Sequence, residues 1–151
     1  MENYIIEKLN IKDYKKCNNI WNMKNCKFTD KFRKEIEDGN RTVFIYKIND
    51  EFIGEIAYVF DMNDSDYTIP NRRIYISRLI VKKEYRNQGI GGILIDFILK
   101  EIKKMGYKEA TIGVDKDNSS ALHLYQKKGF TNVLFEGKDE YGEFYKLMKE
   151  I

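Results

Sequence analysis

Histidine is nearly absent from this chain: His123 is the only one among 151 residues. That excludes a histidine-rich metal site. Cysteine is almost as scarce, with Cys17 and Cys26 alone and no CxxC pair, so a Cys/His zinc cluster has no framework and no bound metal is expected. Two cysteines cannot build a disulfide scaffold either, which favours a reducing compartment. Pro70 is the single proline, and no low-complexity tract, repeat or linker interrupts the chain. No run approaches the roughly 18 apolar residues that a membrane span needs. The opening MENYIIEKLN lacks the basic segment and apolar stretch of a secretory signal. The expectation is a soluble, cytoplasmic protein with no membrane partner.

What is present suits one compact domain, expected to span residues 1–151. Hydrophobic residues make up 42% and charged residues 34%, a globular rather than a disordered balance. Basic residues number 27 against 24 acidic, for a net charge of +3. A pI near 8.7 and many aromatics invite a nucleic-acid reading. Against it, the lysines are spread evenly and no RNP-like or helix-turn-helix pattern occurs, so no nucleic-acid partner is expected. The small positive surplus suits a polyanionic cofactor equally well.

Residues 4–9 read as a first strand. Asp13 then caps a helix with Tyr14, Cys17, Ile20 and Trp21 on its apolar face. Asp30 caps a second helix, with Phe32 and Ile36 inward and Gly39 as a left-handed stop. Residues 42–48 and 52–60, rich in β-branched and aromatic residues, form a hairpin about Asn49-Asp50. A polar loop, 61–73, leads into a strand over 74–81. Residues 89–105 make the clearest helix: Ile90, Ile93, Leu94, Phe97, Ile98, Ile102 and Met105 recur at helical intervals, and Gly106 ends it. A strand at 109–114 and a helix from Asn118 to Lys128, stopped by Gly129, come next. Strands near 130–136 and 143–149 then flank a turn containing Gly137 and Gly142. The order β-α-α-β-β-β-α-β-α-β-β predicts an α/β fold with a mixed, mostly antiparallel central sheet and helices on both faces.

The most informative stretch is Arg86-Asn87-Gln88-Gly89-Ile90-Gly91-Gly92, between an apolar strand and a strongly amphipathic helix. Glycine costs roughly 1 kcal/mol against alanine inside a helix. Three of them at a helix start provide bare backbone whose amides point outward, at the positive end of the helix dipole. Arg86 adds forked donors, and the whole suits a pyrophosphate; a glycine-rich turn without a ligand is the plainer reading. A Walker loop is excluded by the absence of GK[ST]. A dinucleotide fingerprint starting at Gly89 would need glycine where Leu94 stands.

Arg86-x-x-Gly89-x-Gly91 resembles the [QR]-x-x-G-x-[GA] signature of the GNAT N-acetyltransferases, and Leu79-Ile80-Val81 precedes it at that family's spacing. The run from Asn118 to Phe130 is similar to the family's second signature, N-x-x-A-x-x-x-Y-x-x-x-G-F. The resemblance implies the acyl-CoA N-acyltransferase fold and transfer of an acetyl group from acetyl-CoA to a primary amine by direct attack, with no metal. It implies that Arg86, Asn87, Gln88, Gly89, Ile90, Gly91 and Gly92 hold the pyrophosphate. Main-chain groups of Leu79, Ile80 and Val81 would serve the pantetheine arm, and the Leu79 amide would polarise the thioester carbonyl. The side chains of those three residues are expected in the core. Tyr125 would protonate the departing thiolate, with a tyrosine merely packed on the sheet as the structural alternative. Asn118 either touches the pantetheine or caps its helix. Lys127 and Lys128 complement the helix dipole, and His123, on another face than Tyr125, reads as structural or exposed.

Some family members carry a glutamate four residues before the position of Leu79; Tyr75 stands there in this chain, which leaves the general base open. Glu55, a carboxylate inside a strand, is the candidate, against a solvent-facing residue on an alternating strand or a water chain. Asp61, Asp64, Asp66, Asp139 and Glu140 would form an acidic mouth for a cationic amine, opposed by Arg72 and Arg73. The resemblance implies a small-molecule or protein amine as the acceptor. The alternative function is a catalytically silent acyl-CoA sensor. The family includes dimers, so a homodimer is among the expected assemblies.

Overall fold

The computed structural model describes residues 3–151. They form two compact units, one of residues up to 58 together with 78–95, the other of 59–77 and 96–151. Strands β1 (Ile5–Lys8), β2 (Arg41–Ile48), β3 (Glu51–Val59), β4 (Arg73–Val81), β5 (Glu109–Asp115), β6 (Asn132–Asp139) and β7 (Gly142–Glu150) make a seven-stranded sheet in the order β1-β2-β3-β4-β5-β7-β6. The helices are a 3₁₀ helix (Ile11–Asn19), α1 (Thr29–Glu37), α2 (Ile90–Lys104) and α3 (Ser119–Lys127). The sheet is mixed, with β4–β5 parallel and β1–β2, β5–β7 and β6–β7 antiparallel, as the α/β expectation required.

In the first unit the β2–β3 hairpin turns on Asn49 and Asp50, both at positive φ (50° and 67°), the backbone that a two-residue turn demands. The segment after β1 departs from expectation in two ways. Its cap is Asn10, whose side chain accepts from the Lys12 N–H at 3.0 Å, rather than Asp13, and its winding is 3₁₀. The side chains supply the reason: Tyr14, Cys17 and Ile20, three residues apart, are all buried, and a 3₁₀ helix aligns i with i+3 on one face. Asp30 does not cap α1 either. Phe28 occupies the cap position, and the Thr29 hydroxyl donates to the Met23 and Cys26 carbonyls. Leu9, Tyr14, Cys17, Ile20, Val43, Ile45, Phe52 and Ala57 form the core of this unit.

β3 is buried from Phe52 through Val59 with no alternation, so Glu55 lies inside and not on a solvent face. At Gly54 a Cβ would stand 3.2 Å from Leu94 Cδ1 and 3.3 Å from the Ile80 carbonyl, so the bare backbone lets the first turns of α2 close on β3. α2 buries Ile90, Leu94, Ile98 and Ile102 in an i,i+4 row, with Ile95 beside them. Ile93 and Phe97 are half-buried, and Met105, expected on the apolar face, is 39% exposed past the helix end.

In the second unit β4 pairs with β5 from Arg73↔Glu109 to Ile76↔Ile112. Gly137, expected in a turn, lies within β6 opposite Phe144, and only Gly142 (φ 120°) belongs at the turn. The loop after β3 is tied down by charge. Lys146 reaches Asp64 at 2.8 Å and Asp66 at 3.1 Å, and Arg73 binds Glu109 at 2.9 Å and the Ser65 and Asp66 carbonyls.

Candidate active site

After β4 a single 3₁₀ turn, Lys83–Tyr85, leads into Arg86–Gly89 and then α2. Asn87 and Gly89 are both left-handed (φ 64° and 84°). A Cβ at Gly89 would meet nothing within 4 Å, so glycine is needed there for conformation and not for room. The first helical bond runs from the Ile93 N–H to the Gly89 carbonyl (3.1 Å). The N–H groups of Ile90, Gly91 and Gly92 therefore have no acceptor within the helix and mark its positive end. Arg86 is exposed, and its Nε–H donates to the Val81 carbonyl at 2.9 Å.

The strand feeding this loop is oriented by one bond. The Lys82 N–H donates to the Ile53 carbonyl at 2.7 Å, so Lys82 and, two residues back, Ile80 turn their main-chain groups to β3. Strand alternation then aims the main-chain groups of Leu79 and Val81 away from β3. Immediately before Leu79 the backbone breaks rule: Arg78, inside β4, has φ 60°. A non-glycine residue there costs roughly 1–2 kcal/mol. Its guanidinium lies over Trp21 (4.5 Å to the ring centroid) and Phe32 (5.2 Å), and its Nε is buried without a hydrogen-bond partner among the described residues.

Glu55, 4% exposed, is the other unusual group of this unit. Its Oε1 accepts from the Trp21 indole N–H at 2.6 Å, and the Cys17 thiol donates to the same carboxylate. Burial pushes its pKa above the ordinary carboxylate range, although Trp21, Arg78, Cys17 and Arg41 all favour the charged form. The same burial, reinforced by Glu55, raises Cys17 far above a reactive thiol, and Tyr14 rises to about 12. Trp21 also lines an open cleft of about 500 Å³ with Asn18, Ile20, Asn22 and Lys24. The first unit thus brings together Leu79, Ile80, Val81 and the Arg86–Gly92 loop, with Glu55 buried on β3.

The second unit holds Asn118 and Tyr125. Asn118 caps α3, accepting from the Ala121 N–H at 3.2 Å. Tyr125, 8% exposed, packs edge-on to Phe130 (centroids 6.4 Å apart), and burial raises its pKa to about 12. His123 is exposed, and Lys128 pairs with Asp96 at 3.0 Å. The acidic mouth differs from that drawn from sequence: Lys146 pairs with both Asp64 and Asp66 and offsets one of their two charges, while Asp61 and Asp139 accept from the N–H groups of Asn63 and Tyr141 in their own turns. Tyr75 sits beside Tyr67, ring centroids 4.5 Å apart. No group of three or more metal-ligating side chains occurs among the described residues.

Sequence reasoning missed Trp21, Cys17 and Arg78 as the surroundings of Glu55. The shared apolar face of Tyr14, Cys17, Ile20 and Trp21 held a signal for the first two; an arginine in an apolar strand gave none for its backbone.

Comparison with known proteins agrees with this geometry. The model of the acetyltransferase (GNAT) family matches residues 6–130. The chain is 33% identical over 87 residues to N-alpha-acetyltransferase 30 of Schizosaccharomyces pombe, covering 58% of this chain and 55% of that one. It is 27% identical over 133 residues to the probable N-acetyltransferase san of Drosophila melanogaster, covering 87% and 67%. In structure it superposes on a GNAT family acetyltransferase from Elizabethkingia anophelis with acetyl-CoA bound (TM-score 0.77, 20% identity, all of both chains). The chain belongs to the GNAT acetyltransferase family. It spans about half the length of the first of these relatives.

Proposed function

We propose that this protein is an acetyl-CoA-dependent N-acetyltransferase, acting as one functional domain on a primary amine. The observation that carries the reading is the left-handed Gly89 at the head of α2, where a row of amides without an acceptor in the helix lies beside a strand end whose Leu79 and Val81 main chain faces away from β3. The donor set fits a pyrophosphate: helix N–H groups, the exposed Arg86, and no side chain at Gly89, Gly91 or Gly92. Acetyl-CoA, when bound, supplies an activated acetyl group and departs as the thiol.

The chain's own groups divide the remaining work. The Leu79 amide is positioned as the donor for charge developing on the acyl oxygen, a term often worth about 3 kcal/mol. Ile80 holds that strand against the core, and Arg86 through Gly92 bind the diphosphate. Asn118, besides capping α3, adds a side chain at the pantetheine. Glu55 accepts the amine proton; its raised pKa makes it a stronger base than an exposed carboxylate. Tyr125 donates to the leaving sulfur. Burial makes its phenol a weaker acid, so the transfer relies on the thiolate being desolvated and raised as well. Two free thiols, Cys17 and Cys26, suit a reducing compartment such as the cytoplasm. With Asp64 and Asp66 tied to Lys146, a single amine such as a protein N-terminus is favoured over a polycation.

Thermal unfolding with acetyl-CoA, NADH and ATP tests the cofactor. Ligand at a hundred times its dissociation constant adds about 2.7 kcal/mol, a rise of roughly 5–10 °C for this size. A shift with acetyl-CoA alone is expected; none, or a larger one with NADH or ATP, defeats the proposal.

A further inference from the structure

Arg78 combines three features that packing alone does not call for. It takes φ 60° in the interior of a strand, it buries an unpartnered Nε, and it stands directly before the amide proposed to face the acyl oxygen. Any L-residue other than glycine resists that backbone, and asparagine or aspartate, which tolerate it best, are not used. A left-handed residue in a strand rotates the peptide plane that follows it, and the plane following Arg78 carries the Leu79 N–H. Strain of this kind persists only where surroundings over-determine it.

The surroundings are aromatic. The guanidinium is gripped by Trp21 at 4.5 Å and Phe32 at 5.2 Å, one ring from the segment after the 3₁₀ helix and one from α1. Both rings pack against the same core as Ile80, two residues further along β4. The side chain is thus anchored at its far end while Ile80 is anchored beside it, and the backbone between them has little freedom to relax. The Trp21 indole that grips Arg78 is also the donor to Glu55.

We propose that Arg78 is a positioning residue: its guanidinium, held between Trp21 and Phe32, locks the left-handed turn that aims the Leu79 amide. The inference rests on the acetyl-CoA reading above, and it assigns to the Arg78 side chain the task of directing a main-chain donor.

Substitution separates this role from packing because alanine and glycine should act in the opposite order to side-chain loss. Arg78→Ala removes the grip but keeps a Cβ that resists positive φ, so the turn relaxes. Arg78→Gly removes more side chain yet accepts positive φ freely, so the turn is partly retained. The assay is the amide spectrum of the full chain with two probes, acetyl-CoA and free coenzyme A, which lacks the acyl oxygen. In the wild type the Leu79 amide proton should move further downfield with acetyl-CoA than with coenzyme A. That difference should vanish in Arg78→Ala and return in part in Arg78→Gly, while Gly91 and Gly92 respond to both probes in every variant. Arg78→Lys, which keeps charge and stem but not the flat guanidinium, should give a reduced difference and serves if the smaller variants fail to fold. An unchanged Leu79 response in Arg78→Ala or Arg78→Lys, or a glycine variant worse than the alanine one, overturns the proposal. A wild type in which Gly91 and Gly92 respond but Leu79 does not overturns it too, with the cofactor reading intact. Silence at Gly91 and Gly92 in the wild type would bring down both.

Discussion

The two ends of α2 offer a matched pair of glycines, and alanine at each tests what the glycine loop is for. Gly89 and Gly106 have nearly the same backbone (φ 84° and 87°), and a Cβ at either would meet nothing within 4 Å. Neither substitution creates a clash, so each carries only the left-handed penalty, about 1 kcal/mol. For a chain of this length that is a midpoint loss of roughly 2–4 °C if the strain is held in the free protein. At Gly106 nothing else depends on the backbone, and Gly106→Ala should show that loss with unchanged affinity for acetyl-CoA. At Gly89 the loop can escape the strain by relaxing, but its amides then leave the pyrophosphate, and the energy reappears as weaker binding. Gly89→Ala should therefore lose less in the melt than Gly106→Ala and weaken the acetyl-CoA dissociation constant by about fivefold, the equivalent of about 1 kcal/mol. Calorimetric titration of both variants decides it. Affinity within twofold of wild type in Gly89→Ala, or an equal loss in Gly106→Ala, would refute the assignment of the loop.

Glu55→Gln should grow more stable relative to wild type as pH rises. Folded Glu55 keeps its proton above the value at which the unfolded chain loses it, so wild-type stability is full at low pH and falls through that window. Urea melts at about pH 5 and about pH 8 check the sign, and a widening in the opposite direction contradicts the burial argument. Tyr125→Phe should leave the acetyl-CoA melting shift intact while slowing turnover by about 10²–10⁴-fold; equal loss of both would make Tyr125 a packing residue. With its pKa at about 12, no fall in rate from Tyr125 ionisation is expected below roughly pH 11. Lys146→Met strands Asp64 and Asp66, at a stability cost of about 1–3 kcal/mol. Hydrogen exchange should then speed up at Tyr67 and Thr68, whose N–H groups bond to the Asp64 carbonyl. Unchanged exchange there would mean that the turn holds itself.

Local chemistry was legible where one stretch of chain carries its own cause. Asn49-Asp50, Gly39, Gly106 and Gly129 mark turns and helix ends because positive φ is a property of single residues, and all of them take it. The row Ile90, Leu94, Ile98 and Ile102 declares α2 because its period is built into the sequence. The glycine loop was legible for the same reason. Long-range packing decided the rest. Asp13 and Asp30 have the right chemistry for caps, but Asn10 and the Thr29 contacts start those helices, because core burial three residues apart winds the first as 3₁₀. Glu55 looks like an alternating surface residue until β3 is buried from Phe52 through Val59. Asp64 and Asp66 read as an open acidic mouth until Lys146, about eighty residues away in sequence, pairs with both and offsets one of their charges. The sequence by itself determined the family motif, the element order and the glycine-rich loop, since each is written in contiguous residues. Only the tertiary structure placed Trp21 between Glu55 and Arg78 and bent Arg78 into a left-handed turn, because burial, electrostatics and strain arise from residues the chain brings together only on folding.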